Sequence, residues 1–399
     1  MKKYSWIAFV FLLGLSGCKK EQKCIDTKKY LDFGVQQVKE GLALLKDTAM
    51  MPRTIKPGEK GWSTTSIYSW TSGFWPGLLW YVYEYTGDDE WKTIAAKWTN
   101  RLEPVKHAPH KDHDLGFMMY NSFGNGLRLT HNKSYIKVLV ETADSLASLY
   151  NPNVGTIVSW PYRREKNWAH NTIIDNMMNL ELLFWASKAT GNKNYYNIAV
   201  KHAETTMKNH IRPDSTTFHV ILYDSITGDV IKGVTAQGAN DSSMWARGQA
   251  WGIYGFTMCY RETHRLDFLE TAEKLAHKFV EELPPDFIPY WDFNAPNIPN
   301  EEKDASAAAI AASGMLELSR LIVNPAEKKF MRTSADNILR ALINNNLSDG
   351  SNVAILEHSV GNKPGNSEVD VPLIYADYYF FEALLRERQI QRADPESCN

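Results

Sequence analysis

The feature that most constrains the fold is a long apolar helical segment that recurs along the chain. Each time, the segment ends in a short polar turn, and the chain restarts at an aromatic residue. The apolar segments are 78–85, 117–129, 177–189, 251–262 and 307–321, with a sixth at 374–386. Gly or Asn in the turns suits the left-handed conformation at a helix C-terminus. The unequal spacing of the units indicates helix pairs joined by loops of variable length.

The two helices of each pair differ in polarity. The segment before each turn is apolar nearly all round and must be buried, whereas the segment after it is amphipathic, as at 201–205 and 273–277. Six buried helices with amphipathic partners predict an inner ring inside an outer ring, an all-α (α/α)6 barrel. An open helical solenoid of the tetratricopeptide type is the rival, but it would not need inner helices this apolar or repeats this unequal. We predict one barrel domain over 28–390, followed by a tail at 391–399.

The N-terminus has the pattern of a targeting segment. Two lysines precede an apolar run at 6–15, which is too short to span a membrane stably and ends in the sequence LSGC. This pattern predicts a lipoprotein signal peptide at 1–17 and lipidation of Cys18; the alternative is an ordinary signal peptide. We expect a tether at 18–27, in which Cys24 has no structural role. The expected location is the periplasm or outer membrane, with the lipid as the only membrane contact.

Composition excludes several classes of function. The 44 Lys and Arg residues nearly balance the 46 Asp and Glu residues, which argues against a nucleic-acid binder. Four scattered cysteines are too few for a disulfide framework or a zinc site. The 13 Trp, 19 Tyr and 16 Phe residues either fill a large core or line carbohydrate subsites. Composition alone does not choose between these two.

Polar residues just before the inner helices are the candidates for a site, because the loops that lead into those helices converge at one mouth of such a barrel. The candidates are Trp70, His110, His113, Asp114, Asp175, Arg247 and Asp304. Carboxylates, an arginine and tryptophans around one cavity are typical of a glycosidase. Each has a simpler interpretation: an aspartate can cap a helix, a histidine can lie in a solvated loop, and a tryptophan can fill the core. No third ligand with suitable spacing supports a metal site.

Arg247 is the hardest candidate to explain by structure alone. A cation in the first turn of a helix opposes the helix dipole, so its position makes better sense beside an anion. A sugar carboxylate, held by the guanidinium fork and the helix amides, would serve.

Several runs of residues resemble glycoside hydrolase family 88, the unsaturated glucuronyl hydrolases. They are DLGF at 114–117, DNMMNL at 175–180, GVTAQG at 233–238, WARGQAW at 245–251 and DYYFFEAL at 377–384. The resemblance extends over about 28–388, in the same order throughout. The (α/α)6 barrel of that family agrees with the fold predicted from the helix pattern.

The resemblance implies roles for individual residues. Asp175 matches the general acid/base and Asp114 the second essential acid. The positions that match substrate-binding ones are Gly233, Thr235, Arg247, Trp251, His219, Gln237, Trp245 and Trp70. His113 joins them as a candidate at the mouth, and Lys363 lies where the family contacts the second sugar and is a candidate for binding a sulfate.

The implied reaction is hydration of a 4,5-unsaturated uronate: a proton goes to C4, water adds at C5, and the remainder of the oligosaccharide leaves. It needs no metal or organic cofactor. Apolar neighbours and a second carboxylate are expected to raise the pKa of Asp175, while Asp114 stays ionised. The expected partner is an unsaturated oligosaccharide, most simply of glycosaminoglycan type, produced by an upstream polysaccharide lyase.

Three other functions remain open from the sequence. A family 105 enzyme would act on ulvan or rhamnogalacturonan fragments by the same chemistry. A glycan-binding lipoprotein would have no activity. A sugar epimerase or polysaccharide lyase with the same fold would usually use His, Tyr or Arg as its acid/base.

Overall fold

The computed structural model describes residues 24–45, 49–166 and 168–394. Cys18 and the predicted signal peptide, as well as 395–399, lie outside these ranges. The inner helices are α2 (Phe74–Thr86), α4 (Leu115–Met119) continued by α5 (Asn125–Thr130), α7 (Asn176–Thr190), α9 (Ala246–Thr263), α11 (Ala305–Leu321) and α13 (Ile374–Ala393). The outer helices are α1 (Thr27–Leu44), α3 (Asp89–Asn100), α6 (Ser134–Ala147), α8 (Lys193–His210), α10 (Leu266–Glu282) and α12 (Pro325–Asn345).

The inner helices form a closed ring. Each packs on the next, and α13 packs on α2, so the last inner helix meets the first. This closure confirms the (α/α)6 barrel and excludes an open solenoid. α1 packs on α13 and completes the outer ring. The second inner helix is interrupted between α4 and α5 by a π-helical turn, Tyr120–Gly124.

Four of the inner helices end in the same threonine motif. The threonine hydroxyl donates to the carbonyl four residues earlier and accepts from the amide two residues later; the threonines are Thr86, Thr130, Thr190 and Thr263. The left-handed residue that follows is Gly87, His131, Gly191 or His264. The prediction of Gly or Asn is therefore correct at two turns and wrong at two, where histidine takes the left-handed conformation.

Burial follows the predicted difference between the rings. In α11 every residue from 305 to 319 is buried, and its alanines allow neighbouring helices to approach closely. In α10, the buried residues recur on one face only, at Phe268, Thr271, Ala272, Leu275, Ala276 and Phe279. The inner ring is thus core on all sides, and the outer ring separates it from water.

Short antiparallel strands, which the all-α prediction omitted, lie in the loops. They are β1 (Met51–Thr54) with β2 (Ser63–Thr65), β3 (Tyr150–Asn151) with β4 (Thr156–Ile157), β5 (His170–Ile173) with β6 (Val220–Tyr223) and β7 (Val230–Val234), and β8 (Ser359–Asn362) with β9 (Ser367–Val371). β5 ends just before α7, and β8 lies against α11. The strands therefore fix the loops that lead into the inner helices.

The N-terminal residues are held against the last helix. Cys24 is disulfide-bonded, so the expectation that it has no structural role is wrong. Ile25 is buried, and its carbonyl accepts a hydrogen bond from the Gln391 side chain at 3.0 Å. Within the described part of the chain, no helix has the length and apolar character needed to cross a membrane.

Candidate active site

A cavity of about 150 Å³ opens where the loops lead into the inner helices. Its walls come from the loop before α2, the starts of α4, α7 and α9, the chain around β5 and β7, and β8. The lining residues are Trp70, His113, Asp114, Phe117, Trp160, Arg163, Ile173, Asp175, Ala236, Gln237, Arg247 and Asn362. Distant parts of the sequence thus meet around two carboxylates.

Neither aspartate caps its helix. Asp114 precedes α4 and Asp175 precedes α7, but neither side chain accepts a hydrogen bond from the first turn. Asp304 shows the contrast, since its carboxylate accepts from the amide of Ser306 at 3.0 Å and caps α11. The helix-capping interpretation therefore applies to Asp304, whereas Asp114 and Asp175 present their carboxyl groups to the cavity.

Asp175 is a buried carboxyl group poised near neutral pH. Its Oδ2 has no hydrogen-bond partner among the described residues, and the Trp251 indole hydrogen-bonds to the carboxyl group. Burial raises the pKa of Asp175 to about 6, against the opposing charges of His113 and Arg247. A group with this pKa can both release and take up a proton at physiological pH.

Asp114 is also buried, and its expected ionised state needs correction. Burial and the charge of Asp175 raise the pKa of Asp114 well above its usual range. Asp114 therefore keeps its proton to a higher pH than an isolated aspartate does. His113 supports Asp114: its Nε2 lies 3.1 Å from Asp114 Oδ1, and its Nδ1 lies 2.9 Å from the Ser159 carbonyl oxygen.

His219 directs an N–H group at Asp175. Its Nδ1 accepts from the amides of Ala236 and Gln237, each at 3.2 Å, which places the ring proton on Nε2. That nitrogen lies 4.0 Å from Asp175 Oδ2, and burial keeps the pKa of His219 well below its usual range. The imidazole packs against Trp245 in a tilted arrangement, with 4.3 Å between ring centres. His219 is therefore a neutral donor that faces the acid.

Arg247 has an anionic partner within the protein. Its Nη1 donates to Asp304 at 2.9 Å, and its Nη2 donates to the Gly361 carbonyl at 2.6 Å. The expectation of an anion beside Arg247 is met within the protein by Asp304, and contact with a sugar carboxylate stays a prediction. Arg247 still lines the cavity and lowers the pKa of Asp175. It links α9 to β8 and supplies positive charge to the site.

The other predicted residues divide between the cavity wall and the layer behind it. Gln237 lines the cavity and donates to the Gly361 carbonyl, and Trp70 lines it against Tyr375, with ring centres 4.9 Å apart. Thr235 lies beside His219, with 3.4 Å between Oγ1 and Nδ1.

Three further predicted residues are away from the wall. Gly233 lies in β7, where a Cβ would clash with Phe218 at 2.5 Å. Lys363 is ion-paired with Glu302, and neither lines the cavity. His110 is exposed and takes no part.

Several lining residues were missed by sequence reasoning. Asp112 lies beside the cavity, accepts from the Asp114 amide at 3.0 Å, and burial and Asp114 raise its pKa to about 7. Its position two residues before Asp114 was an available signal. Trp160 and Arg163 lie between the helix pairs, where no helical periodicity marked them, and Asn362 ends β8 beside Lys363.

The cluster Asp112, His113 and Asp114 brings its ligand atoms within 4.8 Å of one another, which is close enough to hold a cation. However, His113 already uses one nitrogen on the Ser159 carbonyl, and Asp112 accepts a backbone amide. These two contacts hold His113 and Asp112 in place beside Asp114.

A larger cavity, of about 470 Å³, lies at the opposite ends of the inner helices. Its charged side chains bind one another: Arg261 contacts Glu181 and Glu317, and Arg386 contacts Glu317 at 2.7 Å. Phe117 lines both cavities. The candidate site is the smaller cavity, because Asp175 Oδ2 and His219 Nε2, which lack hydrogen-bond partners among the described residues, face each other there.

Comparisons with known proteins place the chain among characterised enzymes. Residues 46–384 match the family model described as Glycosyl Hydrolase Family 88. An unsaturated glucuronyl hydrolase from Formosa agariphila is 46% identical over 80% of this chain and 80% of its own length. An unsaturated chondroitin disaccharide hydrolase from Streptococcus pyogenes is 34% identical over 90% of this chain and 91% of its own length. The crystal structure of an unsaturated glucuronyl hydrolase specific for heparin superimposes with a TM-score of 0.87, at 40% identity over 92% of this chain and 98% of that one.

Proposed function

The chain belongs to glycoside hydrolase family 88, and from this premise we propose that it removes a 4,5-unsaturated uronate from the non-reducing end of glycosaminoglycan-type oligosaccharides. Such oligosaccharides are the products of polysaccharide lyases. The family match favours this activity over a family 105 enzyme. It also makes the chain a glycoside hydrolase rather than a glycan-binding lipoprotein without activity.

One observation carries the proposal. Asp175 is a buried carboxyl group with an unpartnered oxygen, a pKa of about 6 and a second carboxyl group in the same cavity. Unpaired buried polar atoms are uncommon in folded proteins, and at a cavity they indicate where a substrate binds. A carboxyl group that is protonated in part of the molecules near neutral pH suits general acid/base catalysis.

The reaction begins with proton transfer from Asp175 to C4 of the unsaturated uronate. Positive charge then develops at C5 and the ring oxygen, and water adds at C5 while the ionised Asp175 takes up its proton. The resulting hemiketal opens by breaking the bond between C5 and the ring oxygen. C1 is then a hemiacetal, and its collapse releases the remaining sugar as an alcohol.

The surrounding residues orient this chemistry. The Trp251 indole holds the carboxyl group of Asp175, and the neutral His219 offers an N–H group beside it for a substrate oxygen or the attacking water. Asp114 binds ring hydroxyls, and Arg247 and Gln237 hold the β8 wall through the Gly361 carbonyl. Trp70 and Trp160 offer aromatic faces to the sugar rings.

The mechanism is tested by turnover in heavy water with a lyase-generated disaccharide. We expect deuterium at C4 of the released keto acid, together with loss of the absorbance of the double bond. Asp175→Asn keeps the size of the side chain and removes its titrating proton. We expect a loss of about 10²–10⁴-fold, mainly in kcat, which is the usual contribution of a general acid/base.

Two results would contradict the assignment. Ordinary cleavage at C1 would release a uronate that still contains the alkene, without deuterium at C4. An Asp175→Asn enzyme with more than about a tenth of wild-type kcat would retain too much activity for the proposed role.

We also propose that the protein is exported and anchored by a lipid on Cys18. The lysines, apolar run and LSGC sequence at the N-terminus support this location. The disulfide at Cys24 supports it as well, because disulfides persist mainly outside the reducing cytoplasm. Attachment through the lipid alone fits a barrel whose described helices are not membrane-spanning.

A further inference from the structure

Arg163 lines the catalytic cavity but has no part in the reaction described above. It lies in the 3-10 helix Pro161–Lys166 that precedes β5. Its guanidinium carbon is 4.1 Å from the ring centre of Trp160 and 5.2 Å from that of Trp168. Contact with aromatic faces holds a guanidinium group in place and leaves the N–H groups at its edge available for hydrogen bonds.

Arg163 differs in its contacts from the neighbouring cations. Arg247 is paired with Asp304, and Lys363 is paired with Glu302. Among the side chains that the structure describes, no carboxylate lies within ion-pair distance of Arg163, whose guanidinium interacts with the Tyr162 hydroxyl. A guanidinium that is held at a cavity, with no carboxylate among the described side chains to neutralise it, is suited to bind an anion.

The position of Arg163 indicates which part of the substrate this anion belongs to. The carboxylate of the unsaturated uronate is attached to C5, next to the carbon that Asp175 protonates, so it must lie close to Asp175. Asp175 and Arg247 are buried, with 9% and 2% of their surface exposed. Arg163 is only partly buried and lies against the rings of Trp160 and Trp168. Arg163 is therefore nearer the opening of the cavity, where the next sugar of the substrate extends.

We propose that Arg163 binds a sulfate ester on the sugar next to the unsaturated uronate, and that it determines a preference for sulfated oligosaccharides. This inference rests on the proposed function. A guanidinium fork can donate two parallel hydrogen bonds to sulfate oxygens, with the indole of Trp160 behind it. Lys363, which the sequence suggested for a sulfate, is already neutralised by Glu302.

The test compares two unsaturated disaccharides that differ by one sulfate on the reducing-end sugar. We expect Arg163→Gln to lower kcat/KM for the sulfated disaccharide by about tenfold or more, mainly by raising KM. The loss of kcat/KM for the unsulfated disaccharide should be at least five times smaller. Arg163→Lys should recover only part of the loss, since lysine lacks the fork. Arg388→Gln is the matched control, because Arg388 lies 4.9 Å from the Tyr85 ring centre, on α13 and away from the cavity; it should behave like the wild type with both disaccharides.

The other possible outcomes contradict either the role of Arg163 or the proposed function. Equal losses on both disaccharides, or no loss on either, would exclude Arg163 as a sulfate-binding residue. A wild-type enzyme that cleaves only the unsulfated disaccharide would exclude it too, while the proposed function would stand. If the wild type cleaves neither disaccharide, the proposed function itself fails. Lys363→Ala, measured in parallel, should change the ratio less than Arg163→Gln, and the reverse order would return the role to Lys363.

Discussion

Asp175, the proposed general acid/base, lowers the stability of the folded state when it is ionised. Burial raises its pKa from 3.8 to about 6, so the folded state holds this proton more tightly than the unfolded chain does. Its contribution to stability therefore falls as the pH rises from about 4 to about 6, and stays at the lower value above that range. At about 1.4 kcal/mol per pKa unit, the ionised carboxylate costs the folded state about 3 kcal/mol.

Replacement of this residue is expected to stabilise the protein. Asp175→Asn removes the buried charge, so we expect the free energy of unfolding to rise on the order of 2 kcal/mol at pH 8, with little change at pH 4. Urea unfolding at both pH values measures this difference. Asp229→Asn, in the exposed β6–β7 turn, is the control and should leave stability nearly unchanged at either pH. A variant that is less stable than the wild type at pH 8 would show that the Trp251 hydrogen bond outweighs the cost of burial.

Individual residues differed in how well the sequence predicted them. Asp114 and Asp175 could be found because a carboxylate directly before an apolar helix is a pattern along the chain. The partner of Arg247 could not be found from the sequence. Asp304 is 57 residues away, and the pair forms only when α9 and α11 pack together. Arg163 was missed for a related reason, because its role depends on Trp160 and Trp168 stacking beside a cavity.

At the scale of elements, the turns were predictable and the loops were not. The threonine in four of the turns satisfies a carbonyl and an amide, a local task that depends only on neighbouring residues. Histidine in the left-handed position of two turns shows that the residue at this site is less restricted than the pattern suggested. The strands form between distant segments, such as β5 with β6, and no alternating pattern marked them.

The close packing of α4 on α7 brings the two acids into one cavity. Gly116, two residues after Asp114, has no room for a side chain: a Cβ would lie 2.6 Å from the Cα of Asn179. The Asn179 side chain also accepts the Phe117 amide at 2.8 Å. Because the nearest atoms include backbone, the helices would have to separate to admit a methyl group.

Gly116→Ala is therefore expected to reduce both stability and activity. We expect a loss of about 1–3 kcal/mol in the free energy of unfolding, which is usual for overpacking, and a decrease of more than tenfold in kcat/KM as Asp114 moves from Asp175. Gly61→Ala is the control, since the nearest atom to its Cβ would be at an ordinary 3.5 Å. Reduced stability with full activity would show that the geometry of the acids does not depend on this contact.

The whole molecule is organised around an inner ring with a different task at each end. At one end, the candidate active-site cavity holds two buried carboxyl groups, and Oδ2 of Asp175 has no hydrogen-bond partner among the described residues. At the other, Arg261 on α9 links Glu181 on α7 to Glu317 on α11, and Arg386 on α13 continues the network. The sequence predicted the ring because hydrophobicity along each helix is a local signal. It did not predict this network, because the ion pairs join charged residues on different helices, and these pairs are set only when the helices pack in the ring.

The network is expected to stabilise the ring without contributing to catalysis. Arg261→Met would leave Glu181 and Glu317 partly buried without their shared cation, at a cost on the order of 3 kcal/mol. The charges of Arg386 and, to a smaller extent, Arg261 outweigh burial and hold the pKa of Glu317 below its ordinary value. The stability that the ionised Glu317 carboxylate gives the fold is therefore present at neutral pH and is lost as the pH falls through the folded pKa. The destabilisation should accordingly be largest near pH 7 and shrink towards pH 4, as measured by urea unfolding.

Two further measurements separate a structural from a functional role for this end of the barrel. Arg320→Met is the control, since Arg320 lines the same cavity but donates to the exposed side of α13 at Gln389, and it should cost less than about 1 kcal/mol. At a temperature where the folded state is fully populated, Arg261→Met should retain wild-type kcat and KM, because Phe117 separates its cavity from Asp175. A decrease in kcat without a loss of stability would instead show that the two ends of the barrel are coupled.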